Sequence, residues 1–216
     1  MASDCERWNC SVGTIPLWRC ATRSSSILPE SVCVVETGTL LAAGEDFTVR
    51  ELPDPSALAT VLARHGQRAR LQAFLAEELP QRLPAVALLR NGPGQWLALT
   101  DDGALAGEAL QQALMEVLGS LASVCDQTAS RARFAVSGAR ARELLGKGAG
   151  LDLHPSRFAA GDVAVTGIAH IGAQLWQVDE TPTYQLLVAR SFAGSFSLWL
   201  RAAAASLGAV AAARAD

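Results

Sequence analysis

Residues 131–145 read Arg131-Ala132-Arg133-Phe134-Ala135-Val136-Ser137-Gly138-Ala139-Arg140-Ala141-Arg142-Glu143-Leu144-Leu145. The first six alternate. Arg131, Arg133 and Ala135 share one side of an extended chain, and Ala132, Phe134 and Val136 share the other, which is the period of a β-strand. Gly138 breaks the alternation and opens a helix that carries Leu144 and Leu145, and Gly146, Gly148 and Gly150 end it. Downstream the pattern returns to strands near 162–166, 171–178 and 184–189. A last helix follows, with Ser191 as N-cap and a stripe of Phe192, Phe196, Trp199, Leu200, Ala203 and Leu207.

Upstream, Leu121 to Cys125 is a strand candidate. Before it, Ala106, Leu110, Ala113, Leu114, Val117 and Leu118 recur at helical spacing. Two further strands, 85–89 and 95–99, flank the turn Gly92-Pro93-Gly94, and Asp101-Asp102-Gly103 makes another turn. Leu71, Phe74, Leu75 and Leu79 predict a helix ending at Pro80. Asp54-Pro55 reads as a cap and first position of an earlier helix with Leu58, Val61 and Leu62 on its stripe, stopped by Gly66. Phe47–Leu52 and Val32 to Val35 read as strands, Ser24-Ser25-Ser26 as a loop, and residues 1–15 as a tail, with Trp8 and Trp18 as apolar anchors of the polar start. Strands and helices do not alternate strictly, so the expected class is α+β, with mixed or antiparallel sheets under amphipathic helices. The expected organisation is a tail over 1–15, an N-terminal α+β half over 16–120 and a C-terminal α+β half over 121–216.

Composition narrows the function. Half of the 216 residues are hydrophobic, 18% are charged and the net charge is −3. A chain of this length buries about 70% of its unfolded surface. No apolar run approaches the roughly 18 to 20 residues of a membrane span; the nearest, Ala202 to Ala213, is short and bracketed by Arg201 and Arg214. The start of the sequence carries Asp4, Glu6 and Arg7 and does not read as a secretory signal, so a cytoplasmic protein is expected. A negative balance argues against general nucleic-acid binding. Lys147 is the only lysine, and every other basic side chain besides histidine is arginine, which pairs with carboxylates through a planar fork. The five cysteines lie at 5, 10, 20, 33 and 125. Cys5 and Cys10 have a spacing that just admits zinc, but Cys20 and Cys33 supply no second close pair, and unligated thiols are expected.

Motifs that carry chemistry elsewhere fail here on local grounds. Gly146-Lys147-Gly148 lacks the Ser or Thr that a phosphate loop needs after its lysine, and it ends a helix rather than starting one. Gly138 precedes a helix, but no further glycines make a dinucleotide fingerprint, so a plain strand-to-helix turn is expected. Asp152 and His154 flank Leu153 and could share a polar contact that orients an imidazole. No G-x-S-x-G nucleophile accompanies them, and Pro155 holds His154 extended, so a hydrogen-bonded loop is expected. His65, read at a helix C-terminus, and His170 stand alone. Arg131, Arg133, Arg140 and Arg142 read as a solvated face, with a subunit interface as the next reading. No residue is therefore expected to be catalytic, cofactor-binding or metal-binding.

Two blocks carry a family resemblance: Leu151-Asp152-Leu153-His154-Pro155-Ser156-Arg157-Phe158-Ala159-Ala160-Gly161, and Ala189 to Leu200 with Trp199. Ala122-Ser123-Val124-Cys125-Asp126, Phe134 to Leu145, Gly92 to Leu97 and Ile15-Pro16-Leu17 support them. Together they resemble the gamma subunit of heterotetrameric sarcosine oxidase. The departures are the cysteine-containing tail and residues 63–83, which look like an inserted helix.

The resemblance implies an aminomethyltransferase-like fold and an assembly of alpha, beta, gamma and delta chains. Such an assembly oxidatively demethylates sarcosine, reduces oxygen to hydrogen peroxide and passes the one-carbon unit to tetrahydrofolate. It implies FAD, FMN, NAD, tetrahydrofolate and zinc in the other subunits and none in this chain. It also implies direct packing on the alpha subunit, with no nucleic acid and no membrane as partners. Related gamma chains accompany N-methylglutamate dehydrogenase, which is one alternative. A stand-alone folate-binding protein or folate-dependent transferase is another, and a hydrolase built on Asp152 and His154 is a third.

Overall fold

The structure, a computed structural model, describes residues 38–211. The expected tail, the Val32–Val35 strand, both anchoring tryptophans and four of the five cysteines lie outside the described residues.

Two antiparallel sheets form the frame. β1 (Thr39–Gly44) and β2 (Phe47–Leu52) make a hairpin, and the chain then leaves to build a second sheet from β3 (Ala57–Ala63), β4 (Ala87–Gly92), β5 (Gln95–Thr100) and β6 (Ala122–Asp126). It returns through β7 (Arg131–Ser137), β8 (Val163–Ile168), β9 (Ile171–Asp179), β10 (Thr183–Ala189) and the short β11 (Val210–Ala211). The larger sheet runs β11-β1-β2-β7-β10-β9-β8 and the smaller β4-β5-β3-β6. The larger sheet thus combines residues from both sides of position 120, and the smaller takes β6 from beyond it.

The helices are α1 (Arg68–Glu77), α2 (Leu79–Arg82), α3 (Glu108–Leu118), α4 (Ala141–Gly146) and α5 (Ala193–Ala205). This is an α+β fold, as the mixed order of elements predicted. None of these helices is long and apolar enough to cross a membrane.

Antiparallel pairing dictates where helices must lie. β3 and β4 both run antiparallel to β5, so they are parallel to each other. A parallel pair cannot be joined by a hairpin and needs a crossover, usually helical. Residues 63–83, read from sequence as an insertion, are that crossover. The same logic places α3 between β5 and β6, which both run antiparallel to β3. The smaller sheet is therefore a split β-α-β unit with both helices on one face.

The alternation in β7 sorts the core. Ala132, Phe134 and Val136 point to one side of the larger sheet, where they pack with Leu175, Tyr184, Leu186, Phe196 and Leu200 beneath α4 and α5. On the helix side of the smaller sheet, Val61, Leu71, Leu75, Trp96, Leu110 and Leu114 form a second core. Between the sheets lies a third layer, with Leu58, Leu89, Leu97 and Leu99 on one sheet facing Trp176 and Leu187 on the other. The order of layers is helix, sheet, sheet, helix. Phe134 and Phe196 meet edge to face with centroids 5.2 Å apart, tying α5 to β7.

Four sequence expectations are corrected. The helix predicted from Asp54-Pro55 is β3. Its residues are apolar at consecutive positions because a central strand is buried on both faces: Ala57, Ala59 and Val61 face the helices and Leu58 faces the other sheet. Such a strand loses the period-2 signal, and a short apolar run fits either template. Ser191 caps nothing. It lies in a 3-10 turn over Arg190–Phe192, and α5 starts at Ala193 with no side-chain cap bond. Phe192, placed on the buried stripe, is 51% exposed for the same reason. His65 sits in the turn between β3 and α1, not at a helix C-terminus.

Candidate functional site

The Leu151–Gly161 block lies between α4 and β8 and divides its side chains cleanly. Leu151, Leu153 and Phe158 are buried in the core under α4 and α5, while Asp152, His154, Pro155, Ser156 and Arg157 are exposed. Phe158 stacks on Tyr184 with centroids 6.2 Å apart. Arg142 of α4 holds the loop from behind, its Nε donating to the Leu153 carbonyl at 3.1 Å and its guanidinium lying 6.0 Å from the Tyr184 ring centre. Burial pushes the Tyr184 phenol above its ordinary value, with the nearby Arg142 charge opposing that rise.

Asp152 and His154 lie next to each other, but the carboxylate does not orient the imidazole. Asp152 Oδ1 accepts from the His154 backbone N–H at 2.9 Å. His154 Nδ1 is 2.8 Å from Ser156 Oγ and also accepts the Ser156 backbone N–H at 3.3 Å. The His154 carbonyl accepts from the backbone N–H groups of Arg157 and Phe158. Asp162 Oδ2 closes the loop by accepting the Ala159 N–H at 2.9 Å. A catalytic triad needs its carboxylate on one imidazole nitrogen and its nucleophile on the other. Here the carboxylate satisfies main chain and the serine takes the only nitrogen engaged. The geometry does what turn chemistry does: it fixes an exposed apex of His154, Pro155, Ser156 and Arg157 on buried apolar legs. Replacing Asp152 by Ala is expected to cost about 1 kcal/mol, read as a lowered thermal midpoint, by freeing one N–H of the turn.

The four arginines read as one face have separate partners. Arg133 is buried between the sheets and donates to Asp101 at 2.9 Å and to the Pro53 carbonyl at 3.2 Å. Arg140 pairs with Glu143 at 2.8 Å, and that bond draws the carboxyl below its usual range. Arg142 serves the 151–161 loop, and the Arg131 carbonyl accepts from Arg190. Sequence reasoning missed the Arg133–Asp101 pair, because the partners lie 32 positions apart on different sheets. The double aspartate after β5 was read only as a turn.

Gly138 and Gly148, both weighed as anion-binding turns, lie at close approaches. A Cβ on Gly138 would come within 2.2 Å of the Asp46 carbonyl oxygen, and one on Gly148 within 2.5 Å of the Trp199 indole. An open cleft beside Gly138 is lined by Asp46, Phe47, Thr48, Ser137 and Thr181. Among the described residues no three His, Cys, Asp or Glu side chains converge as metal ligands.

A model of the sarcosine oxidase, gamma subunit family matches residues 65–206, a span that includes the 151–161 loop and all of α5. The chain belongs to that family. Among solved structures, this gamma-family chain is similar to a chain of heterotetrameric sarcosine oxidase from Corynebacterium sp. U-96, determined with pyrrole 2-carboxylate. The identity is 25% and the TM-score 0.64, over 80% of this chain and 91% of that one. It also matches glycine cleavage system aminomethyltransferase T from Bartonella henselae, at 16% identity and a TM-score of 0.45, over 68% of this chain and 46% of that one. No curated protein matches the sequence.

Proposed function

We propose that this chain is the non-catalytic gamma subunit of a heterotetrameric flavoenzyme that oxidatively demethylates sarcosine, or a closely similar N-methyl amino acid, and transfers the one-carbon unit to tetrahydrofolate. The observation that carries the reading is the conjunction of the family match with a structural likeness covering 91% of a chain of such a heterotetramer. The polar groups of this chain fit a supporting role, because Arg133, Arg142, Asp152 and Asp162 hold strands and loops in place through main chain or through each other. FAD, FMN, NAD, tetrahydrofolate and zinc then belong to other subunits. The direct partner is the alpha subunit, with beta and delta in the same assembly, and the compartment is the cytoplasm.

Affinity purification of tagged chain from its host tests this. Yellow material with three co-purifying chains, active on sarcosine or another N-methyl amino acid, is the expected result. A lone colourless chain that titrates with tetrahydrofolate in a calorimeter would replace the subunit reading with that of a folate-binding protein.

A further inference from the structure

The turn from β3 into α1 reads Arg64-His65-Gly66-Gln67-Arg68-Ala69-Arg70, three arginines and a histidine within seven positions. Arg64, His65, Arg68 and Arg70 are all exposed. Three segments meet at this corner. The Ala63 N–H donates to the Gly94 carbonyl at 2.8 Å and the Arg64 N–H to the Leu121 carbonyl at 3.0 Å, which brings in the β4–β5 turn and the end of α3. The aliphatic stem of Arg68 lies over Gly94. None of the three segments, 62–76, 91–100 and 117–125, contains an aspartate or glutamate. The corner is strongly positive on a chain whose net charge is −3.

This arrangement works against the helix it sits on. The first turn of α1 has no acidic residue and no side-chain cap. Two cations at a helix N-terminus oppose the macrodipole, where an acid would stabilise by about 0.3–1 kcal/mol. The ion pairs found among the described residues, Arg82–Glu78, Arg133–Asp101, Arg140–Glu143 and Arg190–Asp54, leave these three arginines out. Among the described residues Arg70 reaches only Gln67 Oε1, at 3.5 Å. A local rule broken without a compensation among the described residues points to a compensation from beyond them.

We infer that Arg64, Arg68 and Arg70, with His65, form a docking surface for an acidic face on a neighbouring subunit of the assembly. The inference rests on the subunit reading above. Forked guanidinium groups suit carboxylates, and clustered like charge steers association and makes it salt-dependent.

The test is co-expression with the other subunits, followed by association measurements from low to high salt. The variants are the charge reversal R64E/R68E/R70E and the neutral R64Q/R68Q/R70Q, each verified as folded by circular dichroism. Wild type is expected to associate more slowly as salt rises. The reversal is expected to bind at least about ten-fold more weakly at low salt, and the neutral variant to fall between with a flattened salt dependence. Binding of the reversal variant at wild-type strength overturns the surface and leaves the subunit reading standing. If such equal binding comes with loss of heparin retention in the variant alone, the corner is a polyanion surface instead. Wild type that associates with no subunit at any salt overturns both readings together.

Discussion

Gly138→Ala is expected to destabilise the fold by about 3 kcal/mol or more, enough to leave little folded protein if the parent is ordinarily stable. Gly138 has φ +109°, a conformation that L side chains rarely adopt, and its missing Cβ would lie 2.2 Å from the Asp46 carbonyl oxygen and 2.8 Å from the Phe47 Cα. Both obstacles are backbone, and that backbone is fixed. β2 pairs with β7 at Thr48↔Ser137, and the Arg140 N–H donates to the Asp46 carbonyl at 3.3 Å. Relief therefore requires shifting the β1–β2 turn against its own sheet. Gly146→Ala is the control. It also lies in the α4 region, but a Cβ there meets nothing within 4 Å and a helical Ala is favoured over Gly, so it should be neutral or slightly stabilising. Chemical denaturation of the two variants side by side reads the difference. Equal stability would mean that the turn yields freely, which the strand pairing does not allow.

The same glycine shows what a sequence can and cannot reveal. That a strand ends and a helix begins at Gly138 was legible, because the change from period 2 to helical spacing is a local signal. Why glycine is needed there was not, because the obstacle comes from a turn about ninety residues earlier in the chain. Gly148 repeats the lesson: its neighbour is Trp199 of α5, so a sequence that resembles part of a phosphate loop is a packing contact between elements.

β7 was readable from its period because its two faces differ in chemistry, with Arg131 and Arg133 on one and Ala132, Phe134 and Val136 on the other, and α3 was readable from its single apolar stripe. β3 was not, because two covered faces erase the alternation that would have identified it. The topology that makes α1 a crossover followed only once strand directions were known. The loop at 151–161 was visible as a block, and its division into buried legs and polar apex follows from its residue types. The bonds within it required coordinates, since Asp152 had equally good partners in a ring nitrogen and a main-chain N–H. The positive corner at Arg64–Arg70 is written in consecutive residues. Its significance appears only when the two acid-free segments that fold against it are known.

Arg133→Ala is expected to cost about 3 kcal/mol, the largest loss for a single polar side chain here. Arg133 is 5% exposed, and its guanidinium joins the inner face of β7 to Asp101 at the end of β5 and to the Pro53 carbonyl in the linker between the sheets. Ser56 Oγ donates to the Asp101 carbonyl at 2.9 Å, so the pair sits where the chain passes from one sheet to the other. Removing the cation leaves a half-buried carboxylate and a carbonyl without their donors, and that desolvated remainder, more than the lost attraction, sets the size of the effect. Two consequences separate this from an ordinary surface pair. Stability of the parent should respond little to added salt at this position, because water and ions reach the pair poorly. The double variant Arg133→Ala with Asp101→Asn should recover part of the loss, because it removes the stranded charge along with its partner. Urea unfolding of the parent, both single variants and the double variant supplies the cycle. A double variant no more stable than Arg133→Ala would assign the loss to packing between the sheets rather than to the uncompensated carboxylate.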